Sequence, residues 1–150
     1  MELIYRATRD GSTSKDFHKK CDNQGPTIPS HKNDKGYVFG GYTSISWFDK
    51  GDQKSAPDSF IFTLSNIYNT EPIKFQNSDP NVCVYHNIGY GPWFGYGDIG
   101  VEEEFLKKGG FSYFPSRYKD TLGKGKSIFT EDSKTDRYNL IELEVFKLSK

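Results

Sequence analysis

The residues best suited to chemistry are two cysteines and two histidines in mirrored spacing, His18-Lys19-Lys20-Cys21 and Cys83-Val84-Tyr85-His86. Together they supply the donor set of a tetrahedral zinc site. On a helix, positions three apart share a face, so His18 and Cys21 can converge. On a strand, the same odd spacing sends Cys83 and His86 to opposite faces. The expectation is therefore no metal and two buried structural cysteines. Oxidant scavenging by either thiol would need an exposed thiolate of low pKa, and the spacing of Phe17 to Cys21 on one helical face points to burial instead.

Leu122-Gly123-Lys124-Gly125-Lys126-Ser127 ends like a phosphate-binding loop, but the pattern needs a glycine five places before Gly125 and position 120 is Asp. A basic surface loop is expected. Gly89, Gly91, Gly95 and Gly97 miss the dinucleotide-binding spacing, and Pro92 and Trp93 would keep a helix N-terminus from a pyrophosphate. Glu102-Glu103-Glu104 reads as a solvated run, and Asp49 and Asp52 around Gly51 lack the longer ligand series of a calcium loop. What remains for catalysis is a pocket rimmed by the aromatic, Gly-rich stretch 89–98, with Asp98, His86 or Cys83 as its working groups. That alternative, an enzyme of unknown reaction, requires at least two of the three to converge on a concave site.

The elements that position these residues are mostly strands. Val, Ile, Phe, Tyr and Trp make up 39 of the 150 residues and Ala only two, which suits a pleated half-buried surface better than a helix. Leu3-Ile4-Tyr5-Arg6 is a short strand ahead of an Asp10-Gly11 turn. One amphipathic helix is expected over about residues 14–22, with Thr13 as N-cap, Asp16 three residues on and Gly25-Pro26 as the stop. Further strands are expected at Tyr37-Val38-Phe39, Ile45 to Phe48, Ser59 to Leu64, Pro72 to Phe75, Val82 to Tyr85 and Leu140 to Leu148. In Ser59 to Leu64 the residues Phe60, Phe62 and Leu64 share one face, taken as the main core face, while Ile61 shows the other to be partly covered. Stretch 89–98 should be an ordered, packed loop, and residues 102–139, rich in charge and glycine, long loops.

In the last strand Ile141, Leu143 and Val145 should enter the core. Glu142 and Glu144 then project together on the opposite face, about 7 Å apart, and Phe146 and Leu148 continue that face as apolar surface. These four residues are the candidate partner-binding set. The competing reading has Arg6 or Arg9 pairing with the carboxylates as struts and a loop covering Phe146.

Charge is balanced, with 20 Lys and Arg against 20 Asp and Glu, which removes the electrostatic footprint of a dedicated nucleic-acid binder. No window approaches the roughly 18 apolar residues needed to span a bilayer, so direct membrane insertion is not expected, and no signal segment opens the chain. The expected location is the cytosol.

Several motifs in one order then resemble a known family. Leu3 to Gly11 with Arg9, Asp10 and Gly11, followed by Asp16-Phe17-His18, resembles the opening of the TLDc domain of oxidation-resistance proteins and of BTB-containing proteins of protists and fungi. Gly36 to Thr43, including Gly40, Gly41 and Tyr42, with Trp47 beyond, is similar to its central section. Tyr90-Gly91-Pro92-Trp93-Phe94-Gly95 is similar to its Tyr-Gly-Pro-x-Phe-Gly stretch, and Glu142 to Phe146 to its last strand. Trp93 stands where Thr or Ser is common, residues 102–139 match poorly, and the chain starts almost on the motif, so a single domain over 1–150 without the family's usual N-terminal extension is expected. The resemblance implies a mainly β, two-sheet antiparallel β-sandwich flanked by short helices. It also implies a non-catalytic interaction domain without cofactor, linked to binding of the vacuolar proton-pumping ATPase and to protection from oxidative damage, or one module of a larger assembly. Gly40, Gly41, Gly91, Pro92 and Gly95 are taken as architectural.

Overall fold

Short aromatic and β-branched runs cut by Gly, Pro and Asn turns cannot build long helices, and among the described residues they fold as twelve strands with four helical segments of at most eight residues. The computed structural model describes residues 1–148. In chain order the elements are β1 (Glu2–Arg6), α1 (Ala7–Asp10), α2 (Ser14–Cys21), β2 (Thr27–Lys32), β3 (Val38–Tyr42), β4 (Gln53–Lys54), β5 (Phe60–Thr63), β6 (Ile73–Gln76), β7 (Val84–Tyr85), β8 (Trp93–Phe94), β9 (Ile99–Val101), α3 (Phe105–Lys108), β10 (Gly110–Phe111), α4 (Ser127–Thr130), β11 (Arg137–Tyr138) and β12 (Glu142–Lys147). They form two six-stranded antiparallel sheets, β1-β12-β2-β3-β5-β6 and β11-β10-β9-β8-β7-β4. The result is the expected mainly β sandwich.

The helix α2 starts where the capping chemistry places it. Thr13 Oγ1 accepts from the Asp16 backbone N–H, and the Asp16 carboxylate accepts from the Thr13 N–H, a reciprocal capping box. Gly11 makes room for it, since a Cβ there would sit 2.2 Å from Asp16 Oδ2. Phe17 from α2 then meets Tyr5 and Trp47 edge to face, with centroids 6.0 and 5.7 Å apart. Between the sheets, Phe94 of β8 lies on the bare backbone of β3, because a Cβ on Gly41 would come within 2.5 Å of its ring.

Four expectations need correction. Ile45 to Phe48 is not a strand; Trp47 makes an isolated bridge to Asp22, and its indole N–H donates to Thr27 Oγ1 at 2.9 Å. The stretch 102–139 is not simply long loops. It contributes α3, α4, β10 and β11 and buries Phe105, Phe114, Tyr118, Phe129 and Tyr138. In β5 the core face is the reverse of the one assumed: Ile61 and Thr63 are fully buried in the core, while half-buried Phe60 and exposed Leu64 lie on the opposite face with Phe62, which is itself buried. Ile141 lies before the start of β12 and is 48% exposed, so of the trio expected in the core only Leu143 and Val145 enter it.

Candidate functional site

The groups that suggested chemistry are used up by the fold. His18 sits between the Asp22 carboxylate, 2.7 Å from Nδ1, and the carbonyls of Asn87 and Tyr90, each 2.8 Å from Nε2. Burial opposes its charge, but the Asp22 hydrogen bond and the carbonyls outweigh it and raise the pKa. With acceptors on both ring nitrogens, the imidazolium is the form that satisfies all of them. His18 thereby ties α2 to the loop after β7. His86 has neither ring nitrogen paired and is packed between Trp47 and Phe48; burial, then Lys54, lowers its pKa to about 4. Cys21 and Cys83 are free and buried, and burial pushes both thiols up, the reverse of a reactive thiolate. Among the described residues no three of His, Cys, Asp and Glu converge on a metal position.

Asp98 is fully buried and holds a loop. Its carboxylate accepts the backbone N–H groups of Ser116, Arg117 and Tyr118 at 2.8–3.1 Å, and burial raises its pKa against those bonds. Gly95 makes room for it, since a Cβ there would fall 2.1 Å from Asp98 Oδ1. Because both nitrogens of His86 are unpaired, it bonds neither Asp98 nor Cys83, and the three groups offered for an enzyme do not come together. The phosphate-loop likeness has a direct explanation as well. The Asp120 carboxylate accepts the N–H groups of Leu122, Gly123 and Gly125 at 2.7–3.0 Å, so the chain's own anion fills the backbone nest.

The motif residues are struts and clearances. Asp10 accepts from the Arg6 N–H and from the Arg9 guanidinium, which holds its carboxyl down to about 2. The Tyr5 hydroxyl donates to the Gly11 carbonyl. A Cβ on Gly40 would strike the Pro29 carbonyl, and one on Gly91 the Val101 side chain. Pro92 is buried and its carbonyl accepts from the Val101 N–H.

What the fold leaves open is the outer face of the first sheet. Of the four residues proposed there from sequence, the two carboxylates are internal struts. Glu144 accepts two hydrogen bonds from the Arg6 guanidinium, at 3.0 and 2.7 Å, and Glu142 accepts from the Thr8 backbone and hydroxyl. Leu148 is half-buried beside Pro26, whose carbonyl takes its N–H. Phe146 lies elsewhere on that face, in an apolar groove of about 420 Å³ with Ile28, Phe60, Phe62 and Leu64. Tyr42 stacks on Phe60 at 5.2 Å, and Lys74 Nζ lies 4.6 Å over the same ring. Sequence reading missed Phe60, Phe62 and Leu64 as groove residues because alternation gives parity without direction, and Ile28 because no strand was expected at β2; Gly40, bare beneath Phe62, was the available hint.

A model of the TLDc domain family matches residues 1–149, essentially the whole chain. The chain belongs to the TLDc family. No curated protein matches it significantly. In this TLDc domain residues of the motifs named above cap α2, space the sheets and seat Asp98. No helix among the described residues is long and apolar enough to cross a membrane.

Proposed function

We propose that this TLDc domain is a non-catalytic protein-interaction module that docks a partner on the outer face of its first sheet. The observation that carries the reading is the groove floored by Ile28, Phe60, Phe62 and Phe146, with Leu64 49% exposed at its side, because an apolar groove rimmed by polar residues is the kind of surface that marks an interaction site. The charge around it names the occupant's chemistry. Glu142 and Glu144 are satisfied within the chain, whereas Lys74 has no carboxylate partner among the described residues. An amphipathic segment presenting apolar side chains with an acidic residue beside them fits this rim. Family membership favours a subunit of the vacuolar proton-pumping ATPase as its bearer, a cytosolic setting and a role in oxidative-stress protection.

The test is retention of pump subunits from cell lysate on the immobilised domain. The wild-type chain retains them and Lys74→Glu weakens the retention about tenfold, within the range of a charge reversal at an interface rim. Failure to enrich any pump subunit removes the assignment of the partner, and equal retention by Lys74→Glu removes the acidic occupant.

A further inference from the structure

The outer face of the second sheet carries a different site. The pairing of Gln53 with Tyr85 and of Val84 with Phe94 sets Gln53, Tyr85 and Trp93 in one row across β4, β7 and β8, opposite the buried Val84 and Phe94. Tyr90 joins them from the loop that His18 fixes through the Tyr90 carbonyl, and Tyr96 from the turn between β8 and β9. The rings are inclined to one another: Tyr90 to Trp93 at 45° and 4.8 Å, Tyr85 to Tyr90 at 51° and 5.5 Å, Tyr85 to Trp93 at 63° and 6.5 Å. Trp93 is backed by Gly100, where a Cβ would lie 2.3 Å from the indole. With Asp52 and Gln53, these four aromatics line a groove of about 280 Å³.

The polar groups of this groove favour positive charge. Gln53 Nε2 donates to the Gly95 carbonyl at 2.8 Å, which fixes the amide orientation and leaves Oε1 buried without a partner. The exposed Asp52 carboxylate, which accepts the Gln53 backbone N–H at 2.8 Å, also lines the groove, and no Lys or Arg does. Arg117 stacks on Tyr96 at 4.3 Å but is not among the lining residues and pairs with Asp79 at 3.2 Å. Aromatic faces are negative and attract cations that carry apolar substituents. A proline-rich segment could accept from the tyrosine hydroxyls and the Trp93 indole, but its prolines bring no N–H to the Asp52 carboxylate or to Gln53 Oε1.

We infer that the groove formed by Tyr85, Tyr90, Trp93 and Tyr96 with Asp52 and Gln53 binds a methylated ammonium group, its methyls on the rings and its remaining N–H toward Asp52. A dimethylated lysine side chain and a free methylated amine share that chemistry. The site is independent of the docking face on the first sheet.

Indole N–H resonances give a direct test in the full chain, because the two tryptophans, Trp47 and Trp93, differ in setting: Trp47 is buried and bonded to Thr27. The probes are capped dimethyl-lysine, capped lysine, the neutral isostere with carbon in place of the ammonium nitrogen, and dimethylamine hydrochloride. Capped dimethyl-lysine is expected to shift the Trp93 signal saturably and leave that of Trp47 in place. Lysine and the neutral isostere should bind about tenfold more weakly, and Asp52→Asn, an exposed change, should weaken dimethyl-lysine about fivefold. Stronger binding of dimethyl-lysine than of dimethylamine points to a protein side chain, and equal binding to a small amine; both support the site. No saturable shift with any methylated amine overturns it, as does equal binding of lysine or of the neutral isostere.

Discussion

The two sheets present similar inner faces of Phe, Ile, Leu and Val to one core but finish their outer faces in opposite ways. On the first, Phe60, Phe62, Leu64 and Phe146 leave an apolar groove, and nearby carboxylates are satisfied within the chain, Glu144 by the Arg6 guanidinium and Glu142 by hydrogen bonds from Thr8. On the second, Tyr85, Tyr90, Trp93 and Tyr96 surround acceptors, one of them the unpaired Gln53 Oε1. The first face is suited to bury another chain's apolar side chains and the second to hold a cation. Their difference follows from local chemistry: Phe and Leu leave nothing to hydrogen-bond, whereas Tyr and Asp keep polar ends in reach of solvent.

The two faces also differ in what holds them, so they should fail separately. The strongest break is Asp98→Ala, which leaves three N–H groups without their acceptor under the second sheet and should cost about 3–5 kcal/mol in urea unfolding. Next is Gly41→Ala, whose Cβ must displace Phe94 where the sheets meet; overpacking of this kind costs about 1–3 kcal/mol, and the loss should appear in both sheets by hydrogen exchange.

Acid sharpens the contrast. Burial holds His31 down to about 3, and burial with Lys54 holds His86 down to about 4, so both stay neutral in the fold while the unfolded chain takes up protons near pH 6.5. Depressed folded values mean that stability is full above about pH 6.5 and falls on acidification toward those values, by up to about 1.4 kcal/mol per pH unit for each group. His18 has the opposite sign: its raised value stabilises the fold below about pH 6.5 and that contribution fades as pH rises through it. His86→Phe should flatten the loss between pH 6.5 and 4.5 in urea midpoints, and an unchanged slope would show that His86 is not held neutral. The smallest effect is Glu144→Lys, which breaks a half-exposed pair with Arg6 and should cost about 1 kcal/mol or less.

Much of the frame was legible in the residues. Thr13 and Asp16 announced the helix start, and the Gly-rich motifs marked the places where Phe94 and Asp98 need room. Direction was not legible: the alternation of Phe60, Ile61, Phe62 and Thr63 fits either face, and the choice came from Gly41 receiving Phe94 across the core. The stretch 102–139 hid its role because Phe105, Phe114, Tyr118 and Phe129 come singly or in pairs with one apolar neighbour between glycines and charges, in elements too short for a period to show. The aromatic groove was invisible for another reason. Gln53, Tyr85 and Trp93 are far apart in the chain and become neighbours only through strand pairing.

The central claim is that the partner sits on the first sheet's outer face, and Leu64→Asp set beside Tyr96→Ala tests it directly. Both residues are 49% exposed, so each change should leave stability within about 0.5 kcal/mol. Retention of proton-pump subunits by the two folded variants is then compared with that of the parent chain. Loss with Leu64→Asp and full retention with Tyr96→Ala is the predicted result; full retention with Leu64→Asp would contradict the account.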